Sequence, residues 1–306
     1  MAESIWIVGG GALGTLLASR LERAGHAVCV LIRSDARAAG LARAGRALLV
    51  LRDPGQAPRP TLAFVCVKAR DTGGAARSIA TIAPPAPVVC SLQNGWGHME
   101  TLATRLPGAP LVAGATTLGA YVDASGDLHA STEGITLLAP WDGRDARSAE
   151  YVATVLRSAE LAAETRPDAR AILWRKVVLN AAVNPLTALL DQPNGALLAH
   201  PPLLRVAMAA AGEAALAGIR LGYLPADFDP APVVGTLLEE TRANRSSMAE
   251  DLAHGRPTEA DAILGAAIRA AREAGQAAPV LEALWTLLRA AETGRRDVPR
   301  PGTDRP

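Results

Sequence analysis

Lys176, Asn180 and Asn184 recur at i, i+4 and i+8 in a stretch, residues 170–195, that is otherwise mostly apolar. At 3.6 residues per turn this spacing stacks the three side chains up one side of a helix, with Thr187 on the same side. Ile172, Leu173, Val177, Val178, Leu179, Val183 and Leu186 make the helix apolar nearly all round, which predicts burial. One ammonium and two amides are costly there unless each has a partner. That partner could be protein, or a small polar ligand lying along the stripe. An ammonium can steady a developing oxyanion and give it a proton; amides can donate to and accept from carboxylates and hydroxyls. Pro185 should bend this helix or free a carbonyl near the stripe. Pro193-Asn194-Gly195 ends it as a turn, a role Asn194 can fill without any ligand.

Composition singles out the same residues. Of 31 basic side chains, all are Arg except Lys68 and Lys176, and Asn94, Asn180, Asn184, Asn194 and Asn244 are the only asparagines. A chain that meets its surface charge with Arg keeps Lys where a compact, titratable ammonium is needed and a guanidinium fork will not fit.

A second group lies near the start. Gly9-Gly10-Gly11-Ala12-Leu13-Gly14 fits G-x-G-x-x-G through Gly9, Gly11 and Gly14. The glycines allow a tight turn, close backbone approach to a pyrophosphate and close helix–strand packing, with a helix N-terminus facing the anion. The context is the one this motif requires: a strand at 4–8, a helix at 15–24 and a second strand at 26–32. Arg33, at the end of that second strand, can pair with a 2′-phosphate where an acidic residue would hold a 2′-hydroxyl, so NADPH is expected over NADH. Asp35 is read as the cap of the next helix. Lys68 follows the strand 61–67, and Gln93-Asn94-Gly95 follows the strand 87–92. Both lie at the carboxyl edge, where parallel sheets bind ligands; a solvated lysine and a plain Asn-Gly turn are the structural alternatives.

These residues need a scaffold. The order strand, glycine turn, helix, strand is a βαβ unit and predicts a parallel sheet, with further strands at 111–115, 116–122 and 127–131, a hairpin turn at 123–126 and an edge strand at 134–139. Pro54, Pro58 and Pro60 mark a loop. After about residue 166 only helical periodicity remains, broken at 193–202, 222–232, 255–257 and Pro279. The expected fold is therefore α/β: an N-terminal Rossmann-type dinucleotide-binding domain, 1–166, followed by an all-α C-terminal domain, 167–306, that carries substrate and catalysis. The tail from 295 is basic and Pro-rich. Asn244-Arg245-Ser246-Ser247-Met248 reads as a polar patch in a helical run. Thr258 reads as an N-cap, with Glu259 and Asp261 in the first turn.

A net charge of +1 gives bulk electrostatics no hold on nucleic acid, membrane surface or acidic partners. No apolar run is expected to span a bilayer, and the chain opens directly on a strand, so a cytoplasmic setting is expected. Cys29, Cys66 and Cys90 match no metal or redox spacing and are expected to be core residues, with no metal site.

Together these segments resemble the ketopantoate reductase (2-dehydropantoate 2-reductase) family. The resemblance rests on the glycine turn, Val67-Lys68-Ala69, Gln93-Asn94-Gly95, Leu173-Trp174-Arg175-Lys176 through Asn180, Val183-Asn184-Pro185-Leu186-Thr187-Ala188, Pro193-Asn194-Gly195, Ser246-Ser247-Met248-Ala249-Glu250-Asp251 and Thr258-Glu259-Ala260-Asp261, in the family's order. It implies NADPH-dependent reduction of 2-dehydropantoate to (R)-pantoate, a step towards coenzyme A. Lys176 resembles the proton donor, and Asn180, Asn184, Asn194 and Ser247 resemble substrate contacts, with Asn244 close by. Asn94 resembles a residue touching both substrate and cofactor. Arg33, Lys68 and Ala120 resemble cofactor contacts, and Glu259 an acidic residue at the nicotinamide end. The chain departs from the family at Thr61, where Asp is usual, in the short, Pro-rich stretch 47–60, and at Gln93-Asn94 and Leu118-Gly119. Two other readings stand beside this one: a reductase of another 2-oxoacid or an imine, and a non-catalytic NADPH sensor. The sequence leaves monomer and homodimer open.

Overall fold

The computed structural model describes residues 2–33, 41, 48–82, 84–122, 127–130, 134–143 and 145–297. The chain forms two compact units, 1–173 and 174–306. The expected hairpin turn at 123–126, the Asp35 cap and the tail beyond 297 lie outside the described residues.

The first unit opens with β1 (Ser4–Val8), α1 (Ala12–Arg23) and β2 (Ala27–Leu31), then β3 (Leu49–Leu51), β4 (Leu62–Val65), α2 (Thr72–Ala80), β5 (Val88–Ser91), α3 (His98–Arg105) and β6 (Leu111–Thr116). It closes with β7 (Ala120–Val122), β8 (Leu128–Ala130), β9 (Ile135–Pro140), α4 (Ala146–Ser158) and β10 (Ala162–Thr165). The main sheet runs β10-β9-β6-β5-β4-β1-β2-β3, and β7 pairs with β8 separately. Strands β1 to β6 of the main sheet are mutually parallel, and only the β6–β9 pairing is antiparallel.

Successive strand side chains point to opposite faces, so a sheet covered on both sides needs apolar residues at every position. The strands meet that need. Ile5, Ile7 and Phe64 pack with Leu17 and Leu21 of α1 on one face, while Trp6, Val8, Ala63 and Val65 pack with Ala76 and Met99 on the other. The buried Trp6 indole donates to the Pro58 carbonyl at 2.7 Å, which satisfies its N–H.

Three expectations about this unit need correction. The strand at 134–139 is not an edge: β9 lies between β6 and β10. β10 and β3 were not anticipated, and β3 lies just before the loop marked by Pro54, Pro58 and Pro60. Both are short outer strands whose pairing is imposed by the strand beside them rather than by their own pattern.

α5 (Ala169–Leu190) starts in the first unit, where Ala169, Ile172 and Leu173 join the core on one face of the sheet, and runs on into the second. The boundary between the two compact units falls inside this helix, after Leu173. Asp168 caps it by accepting from the N–H groups of Arg170 and Ala171. The helix continues through Pro185, whose missing N–H leaves the Ala181 carbonyl without its usual helical partner.

The second unit then adds α6 (Ala196–Ala199), α7 (Pro201–Arg220), α8 (Pro230–Glu240), α9 (Ser247–Ala253), α10 (Ala260–Glu273) and α11 (Pro279–Asp297). A Cβ on Gly218 would lie 2.2 Å from the Trp174 indole, so α7 can approach α5 this closely only with glycine there. The Trp174 Nε1–H donates to the Ala214 carbonyl at 3.0 Å. The expectation about apolar runs is also corrected: α7 is long and apolar enough to cross a membrane, with a mean hydropathy of 1.3. Within this unit one face of it is buried. Ala207, Ala210, Ala211 and Ala214 are buried, and the Glu213 carboxylate accepts from the N–H groups of Val280 and Leu281 at the start of α11.

Candidate functional site

In the first unit the glycine turn joins β1 to α1. Gly9 has φ +117°, and a Cβ there would lie 2.9 Å from the Cys66 carbonyl group. A Cβ on Gly14 would lie 2.0 Å from the Gly9 oxygen, so this glycine lets the helix close onto the turn. Gly10 sits against the side chains of Ile32 and Leu41. Gly11 is different. A Cβ there meets nothing within 4 Å, and Gly11 is the N-cap of α1 with no side-chain cap. The first-turn N–H groups, those of Ala12, Leu13 and Gly14, are the donors a pyrophosphate takes. A tight turn, a glycine-enforced helix approach and open space before an uncapped helix start fit a dinucleotide.

Lys68 and Asn94 lie at the carboxyl edge of the same sheet, just beyond β4 and β5, and both are half-buried. Gln93 ties their loops together. Its amide nitrogen donates to the Val67 carbonyl at 3.0 Å and to Thr72 Oγ1 at 2.9 Å, and Thr72 donates to the Ala69 carbonyl at 2.7 Å. Residues on both sides of Lys68 are thereby held. Sequence reasoning missed this role, because Gln-Asn-Gly reads as turn chemistry until the neighbouring loop is known. Arg33 is exposed and bonds Asp71 Oδ1 at 2.6 Å through Nη2. A surface pair of this kind is weak and yields to a doubly charged phosphate. Ala120 opens β7. Thr61 sits at the opposite, amino edge, where it donates to Glu3 Oε2 at 2.7 Å and accepts from Tyr151 at 3.1 Å. This departure from the family pattern is structural.

The second unit holds the polar stripe. Asn184 is buried, and Asn180 and Lys176 are half-buried. Lys176 keeps some accessible surface, but protein crowds its ammonium, and that burial pulls its pKa down to about 8. The negative charge of Glu259 acts the other way and raises it. Glu259 is 8% exposed. It is itself the N-cap residue of α10, though its carboxylate does not cap the helix. The expected cap, Thr258, lies one residue earlier, and its hydroxyl accepts from the Ala260 N–H at 3.2 Å.

The turn after α5 is tied to the segment before α9. The Asn194 N–H donates to the Asn244 carbonyl at 2.9 Å, and the Gly195 N–H to the Arg242 carbonyl at 3.0 Å. A Cβ on Gly195 would lie 2.9 Å from that carbonyl, so glycine is needed for the approach. Asn194 is buried; its amide nitrogen donates to Thr241 Oγ1 at 2.9 Å, while its Oδ1 has no hydrogen-bond partner among the described residues. The assignment of O and N in this amide follows the hydrogen-bond network. Asn244 and Ser247 are exposed.

The polar patch at 244–248 is not a helix face, as expected, but the approach to α9 and its cap. Ser246 Oγ accepts from the Ala249 N–H at 3.1 Å and from the Thr187 hydroxyl at 2.8 Å, so the end of α5 holds the start of α9. The Ser-rich helix start was a readable signal for this cap; the partner Thr187 was not. A cavity of about 340 Å³ opens at the turn between Pro193, Ala196 and Arg242. None of Lys176, Asn180, Asn184 or Glu259 lines it, so it is not assigned to substrate.

A Rossmann-type dinucleotide-binding unit joined to a helical unit with a desolvated lysine and an amide stripe defines a class: two-domain nicotinamide-dependent oxidoreductases. The family model "Ketopantoate reductase PanE/ApbA" matches residues 5–143, and its C-terminal counterpart matches 168–292. The chain belongs to the ketopantoate reductase family. It is 38% identical to the 2-dehydropantoate 2-reductase of Archaeoglobus fulgidus over 297 residues, 95% of this chain and 99% of that one. The crystal structure of 2-dehydropantoate 2-reductase from Geobacter metallireducens GS-15 superposes with a TM-score of 0.84 at 30% identity, covering 94% of this chain and 99% of that one. A D-mandelate dehydrogenase solved with NADH and anilino(oxo)acetate shares the fold, with a TM-score of 0.86 at 21% identity, covering 96% of this chain and 99% of that one.

Proposed function

We propose that this protein reduces 2-dehydropantoate to (R)-pantoate with NADPH. The observation that carries the reading is Lys176, a lysine whose pKa burial lowers to about 8 against the opposing charge of Glu259, on the helix that also carries Asn180 and Asn184. Family membership supplies the substrate; the glycine turn and Arg33 support the cofactor.

The reaction adds a hydride to a ketone carbon and a proton to its oxygen. Bound NADPH supplies the hydride. Lys176, charged at neutral pH, stabilises the oxygen as negative charge develops and gives it the Nζ proton. A lysine with a pKa of about 8 is a better acid than one in water and is still mostly protonated at pH 7. Glu259 keeps the ammonium charged. Asn180, Asn184, Asn194, Asn244 and Ser247 are neutral donors and acceptors for the carboxylate and hydroxyl of the substrate, and the unpartnered Asn194 Oδ1 supports this role. Asn94 and Lys68 serve the cofactor end. The reading places the protein in the cytoplasm, as a monomer or a homodimer.

The test is the loss of NADPH absorbance with and without 2-dehydropantoate, with pantoate identified as product. A panel of other 2-oxoacids runs beside it. Faster turnover of another oxoacid moves the assignment to that substrate. NADPH binding without turnover of any of them makes the protein a sensor.

A further inference from the structure

We propose that Glu292, on α11, is a positioning residue that sets the Glu259 carboxylate against Lys176. The proposal rests on the reading of Lys176 and Glu259 given above. Glu292 is 5% exposed. Its Oε1 accepts twice from one residue, from the Thr258 N–H at 2.7 Å and the Thr258 hydroxyl at 2.6 Å. Its Oε2 accepts from Arg289 Nη1 at 2.6 Å. Thr258 Oγ1 in turn accepts from the Ala260 N–H at 3.2 Å.

The residues on both sides of Glu259 are thus fixed from α11. The Thr258 hydroxyl holds the Ala260 N–H, and the Glu259 carboxylate makes no cap bond to its own helix. A second link follows one residue later. The Trp285 indole donates to Asp261 Oδ1 at 2.9 Å, and Arg289 Nη1 lies 3.9 Å from Asp261 Oδ2. The charged groups around Glu292 are accordingly Arg289 on its own helix and Asp261 on α10. The charge that acts on Lys176 is that of Glu259. A buried carboxylate is costly unless fully bonded, and here it is bonded to the segment that carries the charge partner of the lysine. A small shift of that segment changes the field at the ammonium, because the low effective dielectric of a desolvated site enlarges the change in Coulomb energy per ångström.

The experiment measures NADPH-dependent turnover against pH for the full-length protein. Glu292→Ala should lower kcat by ~10-fold and move the alkaline limb of the profile down by ~1 unit, with KM for NADPH little changed. Thr258→Val should move the limb in the same direction. Glu292→Gln, which keeps the oxygen that accepts from Thr258, should restore most of the wild-type profile. If Glu292→Ala and Thr258→Val lower kcat or Tm but leave the limb in place, or if Glu292→Gln is as impaired as Glu292→Ala, Glu292 is only a brace between α10 and α11. Should Glu292→Ala not fold, Thr258→Val and Glu292→Gln decide alone. Lys176→Ala separates the underlying reading: an alkaline limb that survives in that variant does not belong to Lys176, and then the lysine assignment fails whatever Glu292 does.

Discussion

Glu259, buried at the head of α10, raises the pKa of Lys176, while burial lowers it further than the carboxylate restores it. The balance, about 8, follows from ordinary physics: removing water destabilises the ammonium, and a single carboxylate offsets only part of that cost.

This balance sets a pH dependence. With Lys176 as the proposed proton donor, turnover should fall as pH rises through about 8, and oxidation of pantoate should rise through the same region. Glu259→Gln removes the influence that raises the lysine pKa, so both limbs should move to lower pH. Rate–pH profiles in the two directions check this, and limbs that stay fixed in Glu259→Gln would rule the pair out as their origin.

Lys176→Met separates function from stability. Turnover should drop ~10²–10⁴-fold if the proposed proton donor is lost. The folded state should not suffer. The folded pKa lies below the ordinary 10.5, so the unfolded chain binds more protons between about 8 and 10.5. Wild-type stability at this residue is therefore lowest below pH 8 and recovers as pH rises through that window. Denaturation midpoints should favour Lys176→Met most at pH 7, with the difference shrinking towards pH 10. A midpoint for Lys176→Met below wild type at pH 7 would contradict this.

The glycine turn separates packing from ligand approach. Gly14→Ala puts a Cβ 2.0 Å from the Gly9 oxygen and should destabilise the first unit by several kcal/mol. Gly11→Ala has open space and should fold with a near-normal Tm, yet bind NADPH at least ~10-fold more weakly, since the methyl stands where the pyrophosphate approaches. Thermal melts and NADPH titration read the two effects; equal behaviour of the two variants would remove the distinction.

Arg33→Ala should raise KM for NADPH much more than KM for NADH, because only the former carries the 2′-phosphate. Arg33 itself is exposed enough that losing the pair should change Tm little. Matching increases with both cofactors would remove Arg33 from the phosphate site.

Thr187→Val removes the hydroxyl that reaches Ser246 Oγ at 2.8 Å while keeping the side-chain shape. The cost should be ~1–2 kcal/mol in stability, with KM for the oxoacid raised because α9 begins with Ser247. Chemical denaturation and oxoacid titration measure the two. An unchanged KM would show that the Thr187 bond to the cap serves stability alone.

Much of this protein was legible from local chemistry. The glycine spacing, the apolar strands and the i, i+4, i+8 stripe each encode their own geometry, because turn sterics, strand alternation and helical period act over a few residues. Those signals led to the βαβ start, the helical second half and the set Lys176, Asn180 and Asn184. Other features were decided by tertiary structure, since they depend on partners far along the chain. β3 and β10 exist because a neighbouring strand offers a ladder. Ser246 caps α9, with Thr187 of α5 bonded to it. Gln93 clamps the loop around Lys68. Glu292 reaches across 34 residues to Thr258. The ordinary lysine in the sequence becomes one with a pKa of about 8 only where folding surrounds it with protein and brings Glu259 within reach. Residue types and local spacing are properties of the sequence; desolvation and long-range hydrogen bonding arise only when the chain has packed.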